Sequence, residues 1–114
     1  MKATEEFFRN IYQKFNERDI EEVIANMTPD VQWANGMEGG YESGHRGVRD
    51  YWTRQFALVR SHVTPLEIKK VGDAIVIKVR QEVRNLVGIK LSKLTVKHIF
   101  HMSNGKIAKF DIEK

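Results

Sequence analysis

Val31-Gln32-Trp33-Ala34-Asn35-Gly36-Met37-Glu38-Gly39-Gly40-Tyr41-Glu42-Ser43-Gly44-His45, running into Arg46-Gly47-Val48-Arg49-Asp50-Tyr51-Trp52, is the stretch on which the fold turns. Val31, Trp33 and Asn35 alternate with Gln32 and Ala34, which is the period of a strand. Five glycines spread over the stretch let the backbone reverse sharply. Residues 41–43 read as a short partner strand. Val48, Tyr51, Trp52, Gln55, Phe56 and Val59 then recur at helical spacing, predicting a helix over residues 47–60 with His45 or Ser43 as its cap. A strand, a reversal and a helix that returns aromatic side chains over the strand make one wall of an apolar pocket.

Upstream, Phe7, Phe8, Ile11, Tyr12 and Phe15 give residues 4–16 the apolar face of an amphipathic helix. Thr4 is its expected cap, with Glu5 and Glu6 in the first turn, where the helix dipole favours acids. Asp19 followed by Glu22 has capping-box spacing and starts a second, short helix. Ile20, Val23, Ile24 and Met27 are its expected buried face, and Thr28-Pro29-Asp30 its expected end.

Downstream, residues 62–71, 75–86, 89–102 and 107–112 read as strands, with turns at Gly72-Asp73, Gly88 and Asn104-Gly105. Their connections are too short for parallel crossovers, so these four are expected to be sequential antiparallel neighbours. The predicted class is α+β, in the order α-α-β-β-α-β-β-β-β. A curved antiparallel sheet is closed on its concave side by three helices.

At 114 residues and 41% hydrophobic content the chain suits one domain with its own core. It has no cysteine, hence no disulfide framework and no thiolate site. The first nine residues lack an apolar run behind a basic start, and no window has the length of an apolar span, so no leader and no membrane contact are expected. A soluble cytoplasmic protein is the expectation. The net charge is +4 and the pI about 9.4. Acids and bases are nevertheless interspersed, with no basic run longer than Lys69-Lys70, so no nucleic-acid partner is expected.

The element order, together with Phe15-Asn16-Glu17-Arg18-Asp19, Thr28-Pro29-Asp30-Val31, Gly47-Val48-Arg49-Asp50-Tyr51-Trp52 and His98-Ile99-Phe100-His101-Met102-Ser103-Asn104-Gly105-Lys106-Ile107, resembles the nuclear transport factor 2-like superfamily in its SnoaL-like and ketosteroid-isomerase-like branch. The resemblance spans essentially the whole chain. It implies a cone-shaped barrel of sheet and helices, on which isomerases, cyclases, dehydratases, epoxide hydrolases and non-catalytic domains all occur. It also implies a homodimer paired through the outer sheet face, here lined by Lys78, Arg80, Glu82, Arg84, Lys93 and Lys97.

Carried over residue by residue, the resemblance places Asn35 where the isomerases have their catalytic aspartate, and an amide is no general base at neutral pH. The tyrosine of the isomerases' oxyanion hole falls at Ile11, with Tyr12 one position off and rotated by about 100°. The acid of that hole falls at His98, or at Lys97 if the last turn absorbs no difference. The terminal acid of the cyclases falls at Asp111, which alternates with Phe110 and Ile112 and is expected to face outward. Steroid isomerase and cyclase chemistry are therefore not expected.

His98 alternates with Val96, Phe100 and Met102, the more apolar register of its strand, and is expected on the concave face. It is either an acid or base near neutral pH or a core histidine bonded to Gln81 or Asn35. Asn35 is either a ligand contact or the anchor of the glycine turn. Trp33, Tyr51 and Trp52 are either pocket wall or plain core. Gln81 and Asn85 alternate with inward valines and need partners. Gln81 and Gln55 join Trp33, Asn35 and Tyr51 as candidate ligand contacts, with His98 the one candidate catalytic residue. His45, Glu38 and Glu42 are loop or cap residues, or line the mouth. The four histidines have no metal spacing, and residues 98 and 101 point to opposite faces, so no metal and no cofactor are expected.

Three functional readings follow. One is a pocket for a small apolar molecule. The second is an enzyme on a small cyclic or polyketide-like substrate with His98 as acid or base. The third is a dimerisation module without ligand.

Overall fold

The computed structural model describes residues 2–114. The elements run α1 (Lys2–Asn16), α2 (Ile20–Ile24), β1 (Met27–Ala34), β2 (Tyr41–Ser43), α3 (Gly44–Leu58), β3 (Val59–Val71), β4 (Ala74–Asn85), β5 (Lys90–Ser103) and β6 (Lys106–Glu113). One curved sheet in the order β2-β1-β6-β5-β4-β3 carries the three helices.

β3 to β6 are antiparallel neighbours in sequence, as their short turns require. The Asn104-Gly105 turn holds both residues at positive φ, 51° and 80°, the conformation of the tight hairpin turn that this pair favours. β1, however, lies parallel to β6. The sheet is therefore mixed rather than wholly antiparallel. The chain passes through β2, α3 and three strands between β1 and β6, so no short turn fixes their relative direction. Nor does the sheet close into a barrel, because β2 and β3 remain its edges.

Asp19 caps α2 as its spacing predicts, accepting from the Glu22 amide at 3.4 Å. The helix ends sooner than the sequence implies. Met27 is fully buried, but from β1, and Thr28-Pro29-Asp30 lies inside that strand. A proline is tolerated there because the β1–β6 register shifts between Met27 and Gln32. α3 also sits about two to three residues earlier than predicted. Ser43 takes the cap position without a side-chain cap, donating instead to the Gln32 amide oxygen at 3.1 Å. His45 Nε2 donates to the Met27 carbonyl at 3.0 Å and so ties α3 to β1. Gly44 stands at φ +72°, where a side chain would be strained, and a Cβ there would crowd the Pro29 carbonyl at 3.3 Å.

The core lies between helices and sheet. Phe8, Met27, Val31, Val48, Ile77, Val79 and Ile107 are all fully buried in it. Lys78, Arg80, Lys93 and Lys97 project from the other face of the sheet, in the outward register expected for them. There Glu82 pairs with Arg84, Lys90 and Lys93 at 3.6, 3.7 and 3.9 Å. No helix of the described residues is long and apolar enough to cross a membrane.

Candidate functional site

The concave face does not fill completely. A cavity of about 590 Å³ remains, and α1, α3, β1, β3, β4, β5 and β6 all contribute to its lining. Burial along β5 gives its direction. Phe100, His98 and Val96 are buried, whereas Leu94, on the same face, is 49% exposed. Met37 and Tyr41 also line the cavity and are exposed.

Aromatic rings make the wall. Trp33 stacks on Phe110 with centroids 4.1 Å apart and meets Trp52 edge-on at 5.2 Å. Phe100 packs on Phe8 at 4.7 Å and on Phe110 at 5.1 Å. The Trp33–Trp52 contact is the edge-to-face arrangement that aromatic pairs favour.

At the enclosed end, Tyr12 of α1 meets His98 of β5, with hydroxyl and Nδ1 2.7 Å apart. The contact joins residues 86 apart in sequence and is buried. Burial pushes the Tyr12 hydroxyl well above its usual range and lowers His98 from 6.5 to about 3. Both groups are therefore neutral near pH 7. With the Tyr12 O–H donating to Nδ1, the imidazole proton sits on Nε2, a donor on a ring that lines the cavity.

His98 thus lies on the concave face, as its register predicts. Its partner is neither Gln81 nor Asn35 but Tyr12, which the sequence places on the apolar face of α1 without naming its contact. Burial disfavours the protonated imidazole, so the ring meets a ligand as a neutral hydrogen-bonding group.

Asn35 is buried, and its amide is engaged by the glycine turn. Oδ1 accepts from the Met37 and Glu38 amides at 3.0 and 2.8 Å, while Nδ2 donates to Glu38 and Glu42, both at 2.9 Å. This is the turn-anchor alternative, with Glu38 and Glu42 as its acceptors. The bond from Asn35, helped by Arg54, holds the Glu38 carboxyl below the usual range. Replacing Asn35 by alanine leaves two backbone amides and two carboxylates without this partner. It is expected to cost about 1–3 kcal/mol in denaturant unfolding, with no ligand present. A loss near zero would mean that the turn does not depend on this amide.

Tyr51 and Gln55 of α3 are buried and line the cavity, as does half-buried Gln81 of β4. Burial raises the Tyr51 hydroxyl, while the backbone of Met37 and Gly36 pulls it back. Asp111 stands at the rim rather than wholly outside, accepting from the Tyr41 hydroxyl and pairing with Lys109 at 3.8 Å. Ser61 also lines the cavity. The sequence reading missed it, because it extended the helix to residue 60 and began the strand at 62. Among the described residues no cluster of histidine and acidic side chains could hold a metal ion.

Comparison with known proteins identifies the family and the fold. A model of the SnoaL-like domain matches residues 8–110. The crystal structure of TerC co-crystallised with polyporic acid is 29% identical, with a TM-score of 0.78 over 90% of this chain and 83% of that one. An NTF2-like protein of unknown function from Burkholderia pseudomallei is 26% identical, with a TM-score of 0.85 over 99% and 91%. The epoxide hydrolase/cyclase-like enzyme SalBIII shares the fold at 16% identity, with a TM-score of 0.80 over 98% and 90%. No curated protein sequence matches the chain.

Proposed function

The chain belongs to the SnoaL-like domain family, and from that premise we propose that its cavity binds a small, largely apolar molecule carrying a hydrogen-bonding group. The observation that carries this reading is the cavity of about 590 Å³, walled by stacked aromatics and ended by the buried Tyr12–His98 pair. That volume lies within the range of small-molecule sites, which are mostly apolar with a few fixed polar groups. Trp33 and Tyr51 supply wall, and the His98 Nε2–H supplies a neutral donor at the enclosed end. The co-crystal of TerC with polyporic acid supports a small organic ligand.

Binding is favoured over turnover by the state of the polar groups. A carboxylate that could act as base is absent from the described enclosed end. Asp111 is at the rim and tied to Tyr41 and Lys109. What Tyr12 and His98 offer a ligand is hydrogen bonding without net charge, suited to a carbonyl or hydroxyl oxygen.

A thermal-shift panel of apolar small molecules, including steroids, polyketide-like aromatics and terpenoid epoxides, tests this. A ligand at 100 times its dissociation constant adds about 2.7 kcal/mol, several degrees for a domain of this size. Val96 is buried and lines the cavity. Val96→Phe fills part of the space and is expected to abolish the shift while the unliganded protein stays folded. A shift that survives the larger side chain unchanged would place the ligand elsewhere.

A further inference from the structure

The Tyr12–His98 pair leaves a second set of polar groups in the cavity unused. Ser61 of β3 is 1% exposed, lines the cavity, and its Oγ has no hydrogen-bond partner among the described residues. A sealed hydroxyl without a partner costs stability and is uncommon in folded proteins. Gln55 of α3 is likewise buried against the cavity, and Gln81 of β4 lines it beside them. Neither glutamine amide has a side-chain hydrogen bond to the other described residues.

The sheet register brings two of these together. Val63 lies opposite Gln81 and Ser61 opposite Val83, so Ser61 and Gln81 are diagonal neighbours on the concave face. The charged residues that flank them in sequence, Arg60, Arg80 and Glu82, belong to the opposite register of their strands. Gln81 is paired with Leu94, which stands four residues from His98 on β5. At the rise of a strand, that puts Gln81 on the order of 13 Å from the level of His98. The intervening concave position on β5 is Val96, which is apolar and buried.

We propose that Gln55, Ser61 and Gln81 form a second hydrogen-bonding station, and that the ligand is a neutral molecule with an apolar body and a hydroxyl or carbonyl group at each end. The inference rests on the reading of the cavity as a ligand site and narrows its chemistry. Amide and hydroxyl groups both donate and accept, so the station takes either kind of oxygen. It offers no charge of its own, and the charged groups that line the cavity, Asp111 and Lys114, come from β6 and the residue after it rather than from α3, β3 or β4, so a carboxylate or ammonium group would lose water at the station without a counter-ion from it. A ligand oxygen at this station gives the Ser61 hydroxyl the partner that the chain does not.

The test uses two probes, para-terphenyl with a hydroxyl on each terminal ring and its single-hydroxyl analogue. Three rings in line span about the distance along the strand between the levels of His98 and Gln81. Dissociation constants are measured for both on the unmodified protein, on Ser61→Ala and on Gln81→Leu. One additional hydrogen bond predicts that the diphenol binds about tenfold more tightly than the monophenol, and that at least one variant reduces this advantage below about twofold. The monophenol, whose single hydroxyl can occupy either station, should lose less affinity than the diphenol in the variants. Equal binding of the two probes, or an advantage that survives in both variants, overturns the inference and leaves the cavity reading standing. Binding of neither phenol by a protein that binds other apolar molecules has the same meaning. A panel in which nothing binds overturns both.

Discussion

Trp33→Ala is expected to destabilise the unliganded protein by about 3–5 kcal/mol in urea unfolding. The ring is only 7% exposed, stacks on Phe110 and meets Trp52 and Phe100 edge-on. It sits on β1, flanked by β2 and β6, and so joins the glycine turn to the end of the sheet. Trp33 lines the existing cavity, so the void left by alanine adds to it. Small domains are stable by about 5–15 kcal/mol, so a loss of this size is a large fraction of the whole. Trp33→Phe keeps a ring against Phe110 and should recover more than half of the deficit. A loss below about 1 kcal/mol for the alanine variant would mean that the indole is not packed as described.

The second large effect is on pH dependence. Burial lowers His98 in the folded chain to about 3, from an ordinary value of 6.5. Below pH 6.5 the unfolded chain takes up a proton that the folded chain refuses. The contribution of His98 is therefore fully present above pH 6.5 and is lost as pH falls toward 3. The slope is about 1.4 kcal/mol per pH unit, so about 3 kcal/mol is lost between pH 6.5 and 4. Carboxylates titrate in the lower part of this window, so the comparison is with His98→Gln, which keeps a hydrogen-bonding group toward Tyr12 and cannot titrate. Unmodified protein should lose about 3 kcal/mol more than the variant over that interval. Parallel curves would mean that His98 protonates in place.

Much of this arrangement is written locally in the chain. Alternation at Val31 and Trp33, helical spacing at Phe8, Ile11 and Tyr12, and the Asn104-Gly105 turn each specify an element within a few residues. They place His98 on the concave face and Asn35 at the start of the glycine turn. What is not local is not legible in this way. The parallel β1–β6 pair joins strands separated by most of the chain, and no turn residue encodes its direction. The Tyr12–His98 contact depends on how α1 crosses β5, which neither periodicity contains. The end of α3 was misplaced because Val59 continues the helical apolar pattern while already standing in β3. That single shift hid Ser61. Asn35 shows the complementary case. Its residue type allows a ligand contact or a turn anchor, and only the positions of Glu38, Glu42 and the Met37 amide tell which bonds its amide makes.

The enclosed Tyr12–His98 pair and the aromatic wall are the centre of the functional account, and they can be watched together. The most direct measurement is an NMR titration with apolar small molecules that follows the Trp33 indole and the His98 ring in one experiment. The account predicts that any molecule that stabilises the protein moves both sets of resonances, with one dissociation constant, while the imidazole stays neutral. Stabilising ligands that leave both sets unmoved, or a panel in which nothing binds, would contradict it.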